Sequence, residues 1–347
     1  MEPLSEDRFD EWDQFVPKAK GGSLFHTGWF LRAFGQSPQI RVLRNGQGNI
    51  KAGLVLTTSR FLATSAVRRT PWTCYNGPLI LPSEGGTDRT RMGQEKQLML
   101  EALSLAPRLG MYDYIMAPDW TDMMPFLWNG FDTLVGYVYQ IPPAPPEQWQ
   151  AAISKTQRRE LRQGKKEMAE QGCTIEVNGS AEEFYELVEG TARRCGFRIP
   201  CSRPQFLKWW QVMRERDAAT LYVFWDGQHL ALEGIVVVRD WTCTYSVIPG
   251  TRGGRRTGAG CYAQRLLMER IILDSHERGL IFDFAGSVLP GVELYFRSWG
   301  GRCRAVFRAV RIRCPWAYAA WSLHRYWTRH RRGAGPLKAS NKGQSDV

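Results

Sequence analysis

The chain has 347 residues, 43% apolar and 23% charged, a globular composition long enough for two ordinary domains. No apolar run in the sequence is long enough to span a bilayer as a helix. The net charge is +12, but residues 302–347 hold 11 Lys/Arg against 1 Asp/Glu, so the excess belongs to the C-terminal segment and does not make the whole chain a nucleic-acid binder.

The acidic start, Met1 to Asp7, lacks the apolar core of a signal peptide, and the chain is expected to stay in the cytoplasm. The 8 cysteines are scattered without a C-x-x-C pair or a His/Cys ligand spacing, so reduced thiols and no metal are expected. Phe9, Trp12, Phe15 and Val16 share one helical face within residues 5–20. Phe25-His26-Thr27-Gly28-Trp29-Phe30 leads into a helix ending near Gly35. Strands at 40–44 and 50–59 flank Asn45-Gly46, a hairpin signal. An irregular strand over 71–81, a helix over 89–109 and strands at 112–116 and 131–141 complete the first part.

Pro142-Pro143-Ala144-Pro145-Pro146 then breaks the pattern, and a domain boundary is expected there: an N-terminal domain over 1–141, a Pro-rich linker over 142–152, and a second domain over 153–313. The second part reads as a charged helix (153–171), a strand (175–177), two helices (181–195 and 203–216), a hairpin (220–225 and 229–238) and a strand (242–247). A helix (261–278), a short strand (280–284), a helix (291–299) and a last strand (305–312) follow.

Between the strand at 242–247 and the helix after it lies Arg252-Gly253-Gly254-Arg255-Arg256-Thr257-Gly258-Ala259-Gly260. A strand, a glycine-rich loop and a helix start make an anion site: the first helical N–H groups lack partners, the dipole adds partial positive charge, and glycine lets phosphate approach the backbone. A pyrophosphate-bearing molecule suits it; a basic surface turn that binds nothing is the alternative reading of the loop. The loop is neither a Walker loop nor a dinucleotide fingerprint, having no Gly-Lys-Ser/Thr end and no Gly-x-Gly-x-x-Gly. The two parts also share an order of helix, Asn-Gly or Asp-Gly hairpin, helix ending in Gly, and a Tyr-Asp-Tyr or Phe-Asp-Phe strand, which points to duplication of one α/β unit.

Arg255-Arg256-Thr257-Gly258-Ala259-Gly260 fits Arg-x-x-Gly-x-Gly, and with it Ile153 to Arg162, Phe282 to Ser287 and Gly291 to Gly300 resemble segments of the FemAB-like branch of the GNAT acyltransferase superfamily. The resemblance covers about residues 20–313. It implies an α/β fold of two tandem GNAT-like domains, each a mixed β-sheet flanked by helices. It implies an N-acyltransferase that uses acetyl-CoA or another acyl-CoA as co-substrate and no metal. The acceptor would be an amine-bearing small molecule or envelope precursor bound between the domains. Two alternatives stay open: an aminoacyltransferase of the FemAB type that draws on aminoacyl-tRNA, and a non-catalytic binding protein on a GNAT scaffold.

In the implied mechanism a neutral amine attacks the thioester. Backbone N–H groups of Ser246, Val247 and Ile248 would hold the oxyanion. Arg252, Arg255, Arg256, Thr257, Gly258, Ala259 and Gly260 would hold the cofactor's pyrophosphate. Glu233 is a candidate base because it interrupts an apolar strand, where a charge is costly unless it faces a cleft or, by alternation, solvent. Asp283, between two phenylalanines, would hold substrate, take part in catalysis or cap a turn. The usual tyrosine acid of the family falls, counting back from Gly300, on Phe296; Tyr295 is one residue off and is the candidate acid. His26, Trp29, Tyr245 and Glu293 are candidate substrate contacts, with core or surface roles as the alternatives. The basic helix from Lys155 to Lys166 would face solvent, an acidic substrate or tRNA. In the tail, 314–347, Trp316, Ala320, Leu323 and Trp327 recur at helical spacing beside Arg325, Arg329, Arg331 and Arg332, a pattern for an amphipathic helix on anionic lipid or one packed on the second domain. Disorder is expected beyond Gly333.

Overall fold

The computed structural model describes residues 1–35, 38–62, 64–254, 257–286 and 289–333, with side chains as far as Trp327. The first half runs β1 (Glu2–Leu4), α1 (Phe9–Phe15), α2 (Gly28–Ala33), β2 (Gln39–Arg44), β3 (Ile50–Leu56), β4 (Thr58–Phe61), β5 (Thr64–Val67), β6 (Leu79–Ile80), α3 (Asp88–Ser104), β7 (Met111–Ile115), α4 (Met124–Trp128) and β8 (Asp132–Ile141). The second runs α5 (Pro146–Ala152), α6 (Lys155–Glu170), β9 (Thr174–Val177), α7 (Ala181–Cys195), α8 (Arg203–Glu215), β10 (Ala219–Trp225), β11 (Ala231–Arg239), β12 (Cys243–Thr251), α9 (Ala263–Glu277), β13 (Ile281–Asp283), α10 (Pro290–Ser298), β14 (Arg302–Ile312) and α11 (Pro315–Gly333).

Local chemistry accounts for many of the boundaries. The Ser180 hydroxyl accepts from Glu183 N at the start of α7, acidic residues fill the first turn and arginines the last, and Gly196 closes it at φ +68°. The Ser154 side chain likewise caps α6. The stretch expected as a Pro-rich linker, 142–152, is helical over its second part: β8 ends at Ile141, and Pro146 opens α5, because proline's missing N–H costs nothing in a first turn. The 71–81 segment is mostly loop, with only Leu79–Ile80 paired as strand, while Thr58–Phe61 and Thr64–Val67 form a hairpin. Short strands of this kind carry little periodic signal.

Among the described residues the strands form two sheets. One is small, β1-β2-β3-β6; the other has ten strands in the order β4-β5-β7-β14-β8-β13-β12-β11-β10-β9. Each half contains a short parallel pair joined through a helix, β5 with β7 around α3 and β12 with β13 around α9. The halves also trade their last strands. β8, from the first half, pairs with β13; β14, from the second, pairs with β7; and β8 and β14 pair with each other from Asp132↔Val310 to Gln140↔Arg302. The final strand thus sits in the middle of the large sheet, beside strands of the other half.

In the second half, alternation gives the sheet two apolar faces. Tyr222, Phe224, Ile235 and Val237 face Trp149 of α5, Leu161 of α6, and the buried sides of α9 and α10. Leu221, Val223, Val236 and Val238 face α7, α8 and the first half's Trp12 and Phe30. The second contact is an aromatic joint: Phe34 stacks on Trp209 at 5.4 Å, and Trp72 meets Phe206 and Trp209 at 5.8 and 5.4 Å.

Candidate active site

The central feature is a fork. β12 and β13 pair in parallel only over Cys243–Tyr245 and Ile281–Asp283. Past Tyr245, β12 continues against β11 and bulges at Val247, the register jumping from Val237↔Ser246 to Val236↔Ile248. Past Asp283 the other branch turns away, and Phe284 N donates to the Tyr139 carbonyl on β8. The β12 backbone over Ser246 to Ile248 therefore faces a gap where a neighbouring strand would lie.

A crevice of about 720 Å³ opens at this fork, between the halves. Val247 and Ala285 form one wall; Trp72, Cys74, Arg68, Arg69, Asp113 and Arg308 come from the first half and from β14. Arg308 grips Asp113 through Nε and Nη2 at 2.6 and 2.7 Å, and Arg69 donates to the Thr73 carbonyl at 3.0 Å. Three guanidinium groups against one carboxylate give the groove a basic lining. Two of its residues hold left-handed backbone without being glycine, Trp72 at φ +56° and Ala285 at φ +62°. Strain of this kind persists only where surrounding structure imposes it, and it collects at functional sites.

Asp283 stands directly behind the groove wall and is fully buried. Oδ1 accepts from Ala285 N at 2.7 Å; Oδ2 accepts from Tyr75 Oη at 3.1 Å and Gln140 Nε2 at 2.9 Å. Burial raises its pKa, and the Gln140, Ala285 and Tyr75 hydrogen bonds pull it partly back. The carboxylate ties β13 to the 71–78 loop and to β8, and so holds the fork open. Of the roles that the sequence offers Asp283, the turn cap is the one this geometry contains, through the Ala285 amide.

On the other face of the sheet a cavity of about 590 Å³ lies between α6, α9 and α10, lined by Gln157, Arg265, Leu294, Tyr295 and Ser298 among others. The Tyr295 hydroxyl is buried beside the Trp299 indole, yet neither group meets hydrogen-bond geometry among the described residues. Burial pushes the phenol pKa up; Arg265 lowers it and the Glu233 carboxylate raises it further. Glu233 is buried on the β11 face that carries Ile235 and Val237. The alternation that could have turned it to solvent instead turns it inward, within electrostatic reach of Tyr295. Arg265 pairs with Glu160 at 2.6 Å. Phe296, the position to which the resemblance assigned the tyrosine, stacks on Phe284 at 4.5 Å in the core, and the one-residue-offset Tyr295 meets the cavity.

The glycine loop enters α9 through a 3-10 turn, Gly258–Cys261. Gly258 needs its glycine, having φ +53° and lying against the Gln171 side chain. Thr257 is the residue before this turn, and its carbonyl accepts from Gly260 N at 3.2 Å. Ala259 N donates to Gln171 Oε1 at 3.1 Å. A diphosphate would have to displace Gln171 to reach the Ala259 amide. Arg252 folds back, Nε donating to the Ala231 carbonyl at 2.6 Å. Arg255 and Arg256 lie outside the described residues.

The side chains of the remaining sequence candidates do not line the groove. His26 is buried, bonded to Ser23 Oγ at 2.9 Å and the Gly77 carbonyl at 3.1 Å, and burial holds its pKa down to about 4. Trp29 lies under the Arg216 guanidinium at 4.7 Å, in a separate cleft. Tyr245 packs on Phe25 at 4.8 Å and donates to Asp240 Oδ2, pointing away from the groove. Glu293 accepts from Tyr139 Oη at 2.9 Å and pairs with Arg297 at 3.2 Å. Conversely, the sequence reading passed over Trp72, Tyr75, Gln140, Arg265 and Arg308. A signal for the first two existed: an aromatic, polar loop between Pro71 and Pro78, longer than a turn needs to be.

No protein-family model matches this sequence, and no curated protein sequence matches it either. Among solved structures, FemX superposes with a TM-score of 0.63 at 13% identity, over 93% of this chain and 99% of FemX. L-PGS from Bacillus licheniformis superposes with a TM-score of 0.54 at 12% identity, over 93% of this chain and 97% of that one. The C-terminal domain of a candidate lysylphosphatidylglycerol synthetase from Agrobacterium fabrum gives 0.54 and 12%, over 92% and 97%. At these identities the likeness is one of fold: the chain shares the fold of FemX and of these two proteins over nine-tenths of its length.

Proposed function

We propose that this protein is an acyltransferase which moves an acyl group from acyl-CoA to an amine acceptor held between its halves. The observation that carries the reading is the fork at Tyr245 and Asp283, with a crevice beside the open Ser246–Ile248 backbone. Residues 1–141 and 153–313 are its two GNAT-like units, joined by 142–152. A slender acyl arm reaching the fork from the cavity between α9 and α10 would meet an acceptor in the basic groove. The amine nitrogen forms the C–N bond as the C–S bond breaks, and the β12 amides stabilise the oxyanion between those events. Glu233 lies on the Tyr295 face of the sheet, so the proton that the amine loses would reach it through water. Tyr295, kept protonated by its burial, returns one to the departing thiolate. Asp283 is a positioning residue, behind the wall.

Arg68, Arg69 and Arg308 suit an acceptor that bears negative charge, such as an envelope precursor handled in the cytoplasm. The name of one fold relative, lysylphosphatidylglycerol synthetase, denotes a product in which lysine is joined to a lipid, and is compatible with an acceptor of that kind.

A second reading draws on the loop. Ala259 and Gly260 amides are satisfied internally, while Lys155, Arg159, Arg162 and Lys166 stand exposed along α6. A polyanion such as aminoacyl-tRNA as donor would use the second feature without needing the first. Titration calorimetry with CoA, acetyl-CoA and aminoacyl-tRNA separates the readings. CoA binding is expected in the wild type, absent in Gly258→Trp and several-fold tighter in Gln171→Ala, which frees the amide. Tyr295→Phe should leave CoA binding unchanged and lower turnover by about 10–100-fold. Binding of tRNA without CoA would transfer the case to the second reading, and binding of neither would leave a non-catalytic scaffold.

A further inference from the structure

The two faces of α11 differ in kind. Ala317 and Trp321, one turn apart, are buried, Trp321 on Ala66, Met111 and Val310 of the large sheet. Along the opposite side, at helical spacing, Trp316, Leu323 and Trp327 are 52%, 59% and 56% exposed, with Tyr326 beside them at 59%. The sequence pattern that grouped these residues with Ala320 was right about their shared face, but that face turns outward, away from the second domain and the sheet. Large contiguous aromatic surface of this sort marks a contact site.

The charge around the stripe selects the partner. No Asp or Glu occurs between Glu293 and Asp346, and α11 itself carries Arg325, Arg329, Arg331 and Arg332. Arg325 covers the inner Trp321 ring at 4.6 Å. No helix among the described residues is long and apolar enough to cross a membrane. Tryptophan and tyrosine settle where one side is apolar and the other wet, and arginine pairs with phosphate. We infer that α11 lies in the headgroup layer of an anionic bilayer, with Trp316, Leu323 and Trp327 inserted and the charge of this basic segment drawing it to the phosphates.

The placement has a consequence for the groove. On β14, Val310 belongs to the cluster that buries Trp321 while Arg308 lines the groove; on β7, Met111 belongs to that cluster while Asp113 lines the groove. Residues two apart on a strand share a face about 7 Å apart, so the docked helix holds the groove mouth next to the headgroup layer. The inference rests on the exposure of α11 and stands whether or not acyl transfer is the reaction.

Co-sedimentation of the full chain with vesicles of phosphatidylcholine, alone or mixed with phosphatidylglycerol, tests it beside a Trp316→Ser, Leu323→Ser, Trp327→Ser variant. The wild type should pellet with the mixed vesicles and far less with the neutral ones, with a blue shift in tryptophan emission. The variant should partition at least about tenfold more weakly, with unchanged circular dichroism and melting temperature, because these side chains point away from the fold. Wild-type chain that stays in the supernatant, or a variant that pellets equally, overturns the inference. So does a concentration-dependent dimer, seen by light scattering, that the variant abolishes without any vesicle binding.

Discussion

His26 shows how a residue type associated with chemistry is spent on structure. Both ring nitrogens are engaged inside the first half, and burial holds the group neutral, with a pKa of about 4 against an ordinary 6.5. Between those values the unfolded chain takes up a proton that the folded chain refuses. The contribution is therefore complete above pH 6.5 and falls as the pH drops toward 4, by roughly 3 kcal/mol across the window. Asp283 slopes the other way, since its folded pKa is raised, but it is common to both proteins if wild type is compared with His26→Gln. Denaturant midpoints measured between pH 4 and 6.5 should fall less steeply for the variant. Parallel curves would show that His26 is not the group titrating.

At the scale of elements, the turn after β13 decides whether the fork exists. Gly286 has φ +79°, and an added Cβ would lie 2.6 Å from the Tyr137 carbonyl oxygen, a backbone atom that cannot step aside. Gly286→Ala is expected to cost roughly 2–4 kcal/mol in denaturant unfolding. Its neighbour predicts the opposite sign: Ala285 already sits at φ +62°, and Ala285→Gly should release up to about 1 kcal/mol of strain. If both changes proved neutral, the turn would not be held as described. The glycine of Phe-Asp-Phe-Ala-Gly was visible in the sequence, as were β12, β13 and the helix between them. That the parallel pair parts after three residues was not, because where a strand stops pairing depends on the neighbour that leaves, here through Phe284 to Tyr139.

For the molecule as a whole, the exchange of β8 and β14 has a thermodynamic signature. Removing β14 would strip the partner from β7 and from one edge of β8, both in the interior of the large sheet. The Phe34, Trp72, Phe206 and Trp209 joint couples the halves a second time. The chain should therefore unfold in one calorimetric transition, with calorimetric and van't Hoff enthalpies equal. Two resolved transitions would mean that each half is stable alone. A chain ending at Gly301 should expose unpaired edges and aggregate rather than lose only its last strand.

The amino-acid sequence by itself determined the short-range order: helices and strands by their periodicity and caps, the duplicated unit by its repeated order, the glycine loop and the α11 stripe by their composition. Apart from the repeated order, which compares two distant stretches, each of those signals is local, arising among residues a few positions apart. Only the tertiary structure decided that β14 lies among the first half's strands, that Glu233 turns in while Tyr245 turns away, that Gln171 occupies the Ala259 amide, and that the aromatic side of α11 faces out. Those outcomes depend on which surface, distant in the chain, arrives to bury or satisfy a group, and a one-residue change in strand register or a half-turn of a helix reverses them without altering the local pattern.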